Sequence, residues 1–373
     1  MKYCTLCLNP ETNPGVSWYG DTCSTCHKFN LEFSPGSRPD AKKVKLLRNL
    51  LQGKKVAIGV SGGKDSLRQA IFLREIIGVE PILICLTSPP EQNTDLGARN
   101  LSNLVELNFH LFTIHPDPET WRNLALKAFK MFGNYGVATE LALYSAPISL
   151  CLELGIEIFM IGENPNFRDR KTFSNEGPKY GYQKLFSQNT LRNGNIGWIM
   201  DAIALGQVNG NQSKLFFPPD LDKIGEKLKV IDLSWFIPNW TNLENAGFAA
   251  SHGVNFMDRL NAMQNGDLEG VSALDDSFVS VNQMIKFYKY GFGKVTDYVN
   301  EQIRCGNISR ALGATLVEKY DGTCADSKIR SFQAFLGITN DEFWETVYQF
   351  MNTTLFKVNS ETGHRPQKLF SIQ

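Results

Sequence analysis

The stretch that decides the fold is VAIGVSGGKDSLRQA, Val56 to Ala70. The apolar run from Lys55 to Val60 predicts a short strand. After it, DSLRQAIFLREIIG places Leu67, Ala70, Ile71, Ile76 and Ile77 on one side of a helix. Between the two lies the turn SGGKDS, Ser61 to Ser66. In an open α/β sheet such a turn sits at the carboxyl end of its strand, where ligands bind. The first N–H groups of the helix have no partner there, and the helix dipole adds partial positive charge. Gly62 and Gly63 let the main chain approach an anion, and Ser61 and Ser66 offer hydroxyl donors. The turn suits a phosphate.

Outward from that turn, strand and helix periods alternate. Pro81 to Thr87, Phe109 to Ile114 and Ile156 to Gly162 read as further strands, and Leu228 to Ser234 as a fifth. Helical patterns cover Ala41 to Leu51, Asp95 to Leu107, Glu119 to Phe132 and Thr139 to Leu154. The alternation predicts an α/β fold, a doubly wound parallel sheet with helices on both faces. Beyond Asn239 the patterns are all helical, from Val281 to Met351. The expected division is a metal-binding module over 1–35, a nucleotide domain over 40–238 and a helical region over 239–373, with SPGSRPD (Ser34 to Asp40) as a turn-rich linker. Glu163 to Gly197 is polar, rich in glycine and weakly periodic.

The bulk properties set limits. A chain of 373 residues with 42% hydrophobic content and 25 Phe can bury a large core. No apolar run approaches the roughly 18 residues of a membrane span, and the opening MKYCTLCLNP lacks the apolar segment of a signal peptide, so a cytoplasmic protein is expected. Net charge is zero, which argues against a dedicated nucleic-acid binder.

Four of the eight cysteines form C-x2-C-x15-C-x2-C: Cys4, Cys7, Cys23 and Cys26. Each pair aims two thiolates at one point, and two pairs complete a tetrahedron around zinc. Disulfides do not suit a reducing cytoplasm, and two paired motifs do not suit a single redox dithiol. The expectation is a closed structural Zn²⁺ site that folds the segment and does not catalyse. His27 reads as a surface residue, and Cys85 and Cys151 as buried packing.

Two familiar phosphate loops fail on SGGKDS. A Walker A loop needs a first glycine where Ile58 stands and Ser or Thr where Asp65 stands; no G-x-G-x-x-G follows the strand. The six residues Ser61, Gly62, Gly63, Lys64, Asp65 and Ser66 resemble instead the pyrophosphate loop of the N-type ATP pyrophosphatases. Those enzymes cleave ATP between the α and β phosphates and adenylate a carbonyl oxygen. The resemblance implies that the loop grips the leaving pyrophosphate, with Lys64 neutralising its charge. Asp65 would bind Mg²⁺ or hold the loop by accepting main-chain N–H bonds; the sequence leaves both open. Leu86, at the end of the second strand, would border the adenine. Gly162, Glu163 and Asn164, in IGENP, would face ATP from the fourth strand.

Three further segments resemble the N-acetyl sugar amidotransferases: the knuckles enclosing NPETNPG (Asn9 to Gly15), KYGFGKVTDYVNEQIRCGNISR (Lys289 to Arg310) followed by LVEKYDG (Leu316 to Gly322), and LGITNDEFWETVYQF near the end. That family makes the acetamidino groups of bacterial surface sugars, in O-antigens and in flagellar pseudaminic and legionaminic acids. The likeness implies that the acetamido oxygen of an N-acetylated sugar or sugar nucleotide is adenylated and then displaced by ammonia. Position 2 is lysine, not an N-terminal Cys nucleophile, so ammonia would come from a separate glutaminase subunit, with a barrel subunit to conduct it. Lys294 and Asp297, in YGFGKVTD, are candidates for holding the sugar or its phosphate, against the plainer reading of a helix-initiating turn with an ion pair. Arg168, Arg170 and Lys171 read as a solvated charged loop. The rival is a tRNA-thiolating enzyme of the same superfamily, which would want further cysteines near the adenylate; no C-x-x-C occurs after Cys26.

Overall fold

The computed structural model describes residues 1–32, 39–161, 179–180, 191–220, 224, 227–358 and 364–372. At the N-terminus β1 (Trp18–Tyr19) and β2 (Thr22–Cys23) pair antiparallel and lead into α1 (Ser24–Glu32). Most of the expected linker lies outside the described residues. Asp40, its last residue, caps α2 (Ala41–Leu51) by accepting from the Lys42 and Lys43 amides.

The decisive strand is β3 (Val56–Gly59), followed by α3 (Lys64–Ile71), which runs on as a π-helical turn to Ile77 and stops at Gly78 in the left-handed conformation. Then come β4 (Ile82–Leu86), α4 (Asp95–Glu106), β5 (His110–Ile114), α5 (Pro118–Phe132), α6 (Gly136–Glu153) and β6 (Ile158–Ile161). The sheet is completed by β7 (Lys179–Tyr180) and β8 (Lys229–Asp232), with α7 (Gly197–Ala204) between them in sequence. Spatial order is β5-β4-β3-β6-β8-β7, five parallel strands with β7 antiparallel at the edge. The chain winds outward from β3 to β5, then returns to the other side of β3 with β6. The order therefore reverses at β3/β6, and the SGGKDS turn leaves the sheet at that switch point.

Strand residues alternate between two apolar layers, as a sheet covered on both faces requires. Val56, Ile58, Leu83, Met160 and Ile231 face one layer, packed with Leu47, Leu67 and Leu104 from α2, α3 and α4. Ala57, Ile84, Phe159 and Val230 face the other, with Trp121, Phe129 and Leu141 from α5 and α6.

The chain continues through α8 (Asn242–Ala250), α9 (Arg259–Gln264), α10 (Val279–Tyr290), α11 (Lys294–Arg304), α12 (Arg310–Tyr320), α13 (Asp326–Leu336) and α14 (Asn340–Phe350), ending in the short pair β9 (Phe356–Lys357) and β10 (Gln367–Lys368). These helices share the core of the sheet domain. Phe129 of α5 meets Phe332 edge-on at 5.5 Å and stacks on Phe343 at 5.6 Å, and Tyr135 packs on Phe332 at 5.2 Å. Buried Phe278, Phe332 and Phe343 thus close the layer over α5 and α6. Among the described residues no helix is long and apolar enough to cross a membrane.

Candidate functional site

The loop geometry follows from its two glycines, for different reasons. Gly62 has φ +76°, and a Cβ there would meet the Leu101 amide nitrogen of α4 at 2.7 Å. Only glycine fits, because the turn is pressed against the α4 backbone. Gly63 is the open one: a Cβ would meet nothing nearer than Ser61 Oγ at 3.4 Å. Gly63 occupies the cap position of α3 and no side chain caps that helix. The first-turn amides, with the positive end of the helix dipole, are therefore left for an anion.

Lys64 is 3% exposed. Its ammonium pairs with Asp65 Oδ2 at 2.8 Å and donates to Ser272 Oγ at 3.0 Å. The other Asp65 oxygen accepts from Asn245 Nδ2 on α8. Both Asp65 oxygens thus take protein donors, and the Asp65 carboxylate ties the loop to α8. Arg68, one turn on, donates to Asn245 Oδ1 and to the carbonyls of Asn239 (3.0 Å) and Pro238 (2.9 Å); burial pulls its pKa down. Leu86 is buried at the end of β4, beside Cys85. Gly162, Glu163 and Asn164 lie outside the described residues, as do Arg168, Arg170 and Lys171.

Lys294 starts α11 and donates to Asp267 Oδ2 at 2.6 Å and to the Ser272 carbonyl at 3.3 Å. The structure therefore brings Lys294 to the loop: Ser272 is held by Lys64 through its hydroxyl and by Lys294 through its carbonyl. Burial pushes the Asp267 carboxyl up, but Lys294 and the Glu269 and Gly270 amides outweigh this and hold it below its ordinary value. Asp297, the other residue named in YGFGKVTD, pairs with Lys286 at 2.6 Å. The glycines of that motif approach the chain itself. A Cβ on Gly293 would meet Asp321 Oδ1 at 2.7 Å. Asp321, from YDG, caps α11 by accepting from the Gly293 amide (2.7 Å), the Val295 amide (3.0 Å) and Thr296 Oγ1 (2.6 Å).

The cysteines of both knuckles converge. The Sγ atoms of Cys4, Cys7, Cys23 and Cys26 all lie within 4.8 Å of one another and are buried; the Cys7 and Cys23 sulfurs are 3.7 Å apart. Among the described residues this is the one group of three or more His, Cys, Asp or Glu with ligand atoms in metal-binding range. His27 is exposed and stacks on Tyr19 at 4.4 Å. Cys85 and Cys151 are buried, and burial pushes each thiol up to about 12.

Residues 259–369 match the family described as LPS biosynthesis protein WbpG-like, C-terminal domain. The match is to this segment alone, under half of the chain. It falls on the region whose KYGFGKVTD and YDG motifs carried the resemblance to sugar amidotransferases. No curated protein matches the chain by sequence. Among solved structures, the U34-tRNA thiolase NcsA from Methanococcus maripaludis with its 4Fe-4S cluster aligns over 91% of this chain and 98% of its own, at 16% identity. The TM-score of 0.29 is too low for that likeness to carry an argument.

The matching segment supplies Asp267, Glu269, Ser272 and Lys294 to the phosphate-loop side of the sheet. Of these the sequence pointed only to Lys294. The others lie in NGDLEGVSALDD (Asn265 to Asp276), whose one signal was polar density in a segment without period. Asn245 and Asn242, on α8, carried no signal at all, since asparagine in a helix has many plain explanations.

Proposed function

We propose that the chain is an ATP-dependent amidotransferase of bacterial surface-glycan synthesis, which converts the acetamido group of an N-acetylated sugar into an acetamidino group. The observation that carries this reading is the shared grip on Ser272. Lys64, from a loop resembling that of the ATP pyrophosphatases, and Lys294, from a domain named for lipopolysaccharide biosynthesis, meet on one residue.

In this reading the open amides at Gly63 and the start of α3 hold the β and γ phosphates, and Lys64 balances charge as pyrophosphate departs. Electrostatic stabilisation of this kind is available because Lys64 is buried and already oriented by Asp65. Asp65 is the brace of the loop, since Lys64 and Asn245 use both its oxygens. Mg²⁺, where bound with ATP, would neutralise phosphate charge. Lys294 is the cation for the sugar or its phosphate. The amide carbonyl is a poor electrophile; adenylation turns its oxygen into a leaving group that ammonia, supplied by a separate glutaminase subunit, displaces.

The cysteine site is read as structural zinc. Zn–S bonds of about 2.3 Å place tetrahedral sulfurs about 3.8 Å apart, and the Cys7–Cys23 separation of 3.7 Å agrees. The tRNA-thiolation alternative draws no support from the remaining cysteines near the sheet. Cys85 and Cys151 are buried with thiols pushed up to about 12, the wrong direction for a sulfur carrier.

The test is mass spectrometry of N-acetylated sugar nucleotides incubated with protein, ATP, Mg²⁺ and ammonium chloride. The expected product differs from the substrate by replacement of oxygen with NH, with AMP and pyrophosphate released in step. Release of ADP and phosphate, or incorporation of sulfur into tRNA under matched conditions, would count against the reading.

A further inference from the structure

Asn242 opens α8 with its backbone N–H on Glu301 Oε2 at 3.2 Å and its side-chain nitrogen on Glu269 Oε2. Two atoms of this contact remain. Asn242 Oδ1 and Glu269 Oε1 are sealed from solvent and have no donor among the described residues. Asn242 itself is 3% exposed. Two buried acceptors without a donor, on side chains already joined by a hydrogen bond, are costly, and a native interior rarely leaves them so.

One proton resolves both. A carboxylic acid facing a carboxamide closes a ring of two hydrogen bonds, amide N–H to one acid oxygen and acid O–H to the amide oxygen. The first bond is present here, and a hydrogen on Glu269 Oε1 supplies the donor that the second lacks. We propose that Glu269 is a neutral carboxylic acid locked to Asn242, and that it donates the proton for nitrogen transfer at the ATP site.

The surroundings agree. Burial first, and the Glu301 carboxylate second, push Glu269 up to about 8, with Asp267 adding in the same direction and the Asn242 hydrogen bond and Lys64 opposing. The groups facing it are Glu301 and Tyr298 of α11, Lys64 of α3 and Asp267 of its own segment, with Lys294 behind Asp267. The Glu269 amide donates to Asp267 Oδ1 at 3.0 Å, so the acid belongs to the network that joins Lys294, Ser272 and Lys64. A group poised near neutral pH is suited to proton transfer.

The substrate in this step rests on the amidotransferase reading; the protonation of Glu269 does not. Ammonia attacks the adenylated carbon, the C–N bond forms, and the C–O bond breaks with its electron pair leaving on AMP. The sugar nitrogen, neutral in the adenylated imidate, takes the Glu269 proton, and the Glu269 carboxylate takes one proton from the attacking nitrogen, which arrives with three and keeps two in the amidinium product. The acid is thereby restored within the turnover, and the proton that ammonium sheds on becoming ammonia goes to solvent.

Glu269→Gln separates the roles, because an amide–amide pair keeps both hydrogen bonds to Asn242 and has no proton to give. Infrared difference spectra of the full chain should show a carboxylic-acid carbonyl stretch at neutral pH that titrates away around pH 8 and is missing from the variant. The kcat for amidine formation from ammonium chloride should fall by at least ~100-fold, while KM for ATP changes less than about threefold. The wild-type limb that depends on this acid should vanish from the kcat–pH profile of the variant. No acid stretch in the wild type, or a stretch that Glu269→Gln leaves in place, overturns the proposal, as does a kcat within about threefold of wild type. If the wild-type protein makes no amidine at all, the amidotransferase reading falls, and the infrared band still decides the state of Glu269.

Discussion

The Leu8 amide donates to Asn300 Oδ1 at 2.7 Å. This bond stitches the cysteine knuckle to α11, the helix that presents Lys294 at one end and whose Glu301 accepts from Asn242. Arg310 adds to the seam by donating to the carbonyls of Cys7 (3.2 Å) and Cys4 (3.5 Å), and Leu8 packs with Val295, Val299 and Val317. The first residues of the chain thus support the far end of the candidate site, although they are remote from the phosphate loop in sequence.

Metal removal should therefore act at a distance. Metal analysis is expected to find one zinc per chain and no iron. Cys4→Ser combined with Cys23→Ser should abolish binding and lower the melting temperature sharply, since such sites contribute folding energy on the order of 10 kcal/mol. A double variant that melts with the wild type would show that the knuckle does not brace α11.

Lys64→Ala removes the only cation this reading places on the loop. Substrate-dependent release of AMP and pyrophosphate should drop by at least ~100-fold. The partner left behind, Asp65, keeps its bond from Asn245, so circular dichroism should report a folded protein. Unchanged AMP release from a folded variant would remove the loop from the chemistry.

Lys294 and Asp297 entered together from one motif, and their surroundings separate them. Lys294 shares Ser272 with Lys64, whereas Asp297 pairs with half-buried Lys286. Lys294→Met should raise KM for the sugar or lower kcat by ~10-fold or more, and Asp297→Asn should change both by less than about threefold. Equal losses in steady-state assays would place Asp297 at the substrate as well.

Burial holds Glu269 near 8 and Asp275 near 6, both above their unfolded values. A raised carboxyl means that the folded state binds more protons than the unfolded one. This stabilisation is complete below about pH 4 and is lost as pH rises through about 6 and then 8. Glu269→Gln cannot ionise, so its melting temperature relative to wild type should climb between about pH 6 and 9. Parallel melting curves across that range would contradict the sign.

The helical region should not melt as a separate unit. Phe332 is fully buried and touches Phe129 and Tyr135 of the sheet domain. Phe332→Ala should cost about 3–5 kcal/mol and shift one cooperative transition in denaturant. Two transitions, with only one of them moved, would show independent folding.

The sheet was legible in the sequence because buried parallel strands are short apolar runs, and Val56, Ile82 and Ile158 each open one. Helix ends were legible within a few residues for the same reason that caps exist: Ser309 and Thr339 each accept an amide of the first turn. The cysteine cluster followed from spacing alone. What could not be read was partnership. Gly62 announced close approach, but the atoms that come close to it belong to α4, as those near Gly293 belong to Asp321. Nothing in the local sequence of Asn242, Asn245 or Ser272 says that they meet Glu269, Asp65 and Lys64, because those contacts form only when the chain beyond β8 folds back over the phosphate loop.

The most direct measurement is an isotope transfer. An N-acetylated sugar nucleotide carrying heavy oxygen in the acetamido group is incubated with the protein, ATP, Mg²⁺ and ammonium chloride, and the AMP is weighed. Heavy oxygen in the phosphate of AMP, matched one for one with amidine formed, is the expected result. Amidine formed with unlabelled AMP, or label appearing in free phosphate, would mean that ATP does not activate the acetamido oxygen.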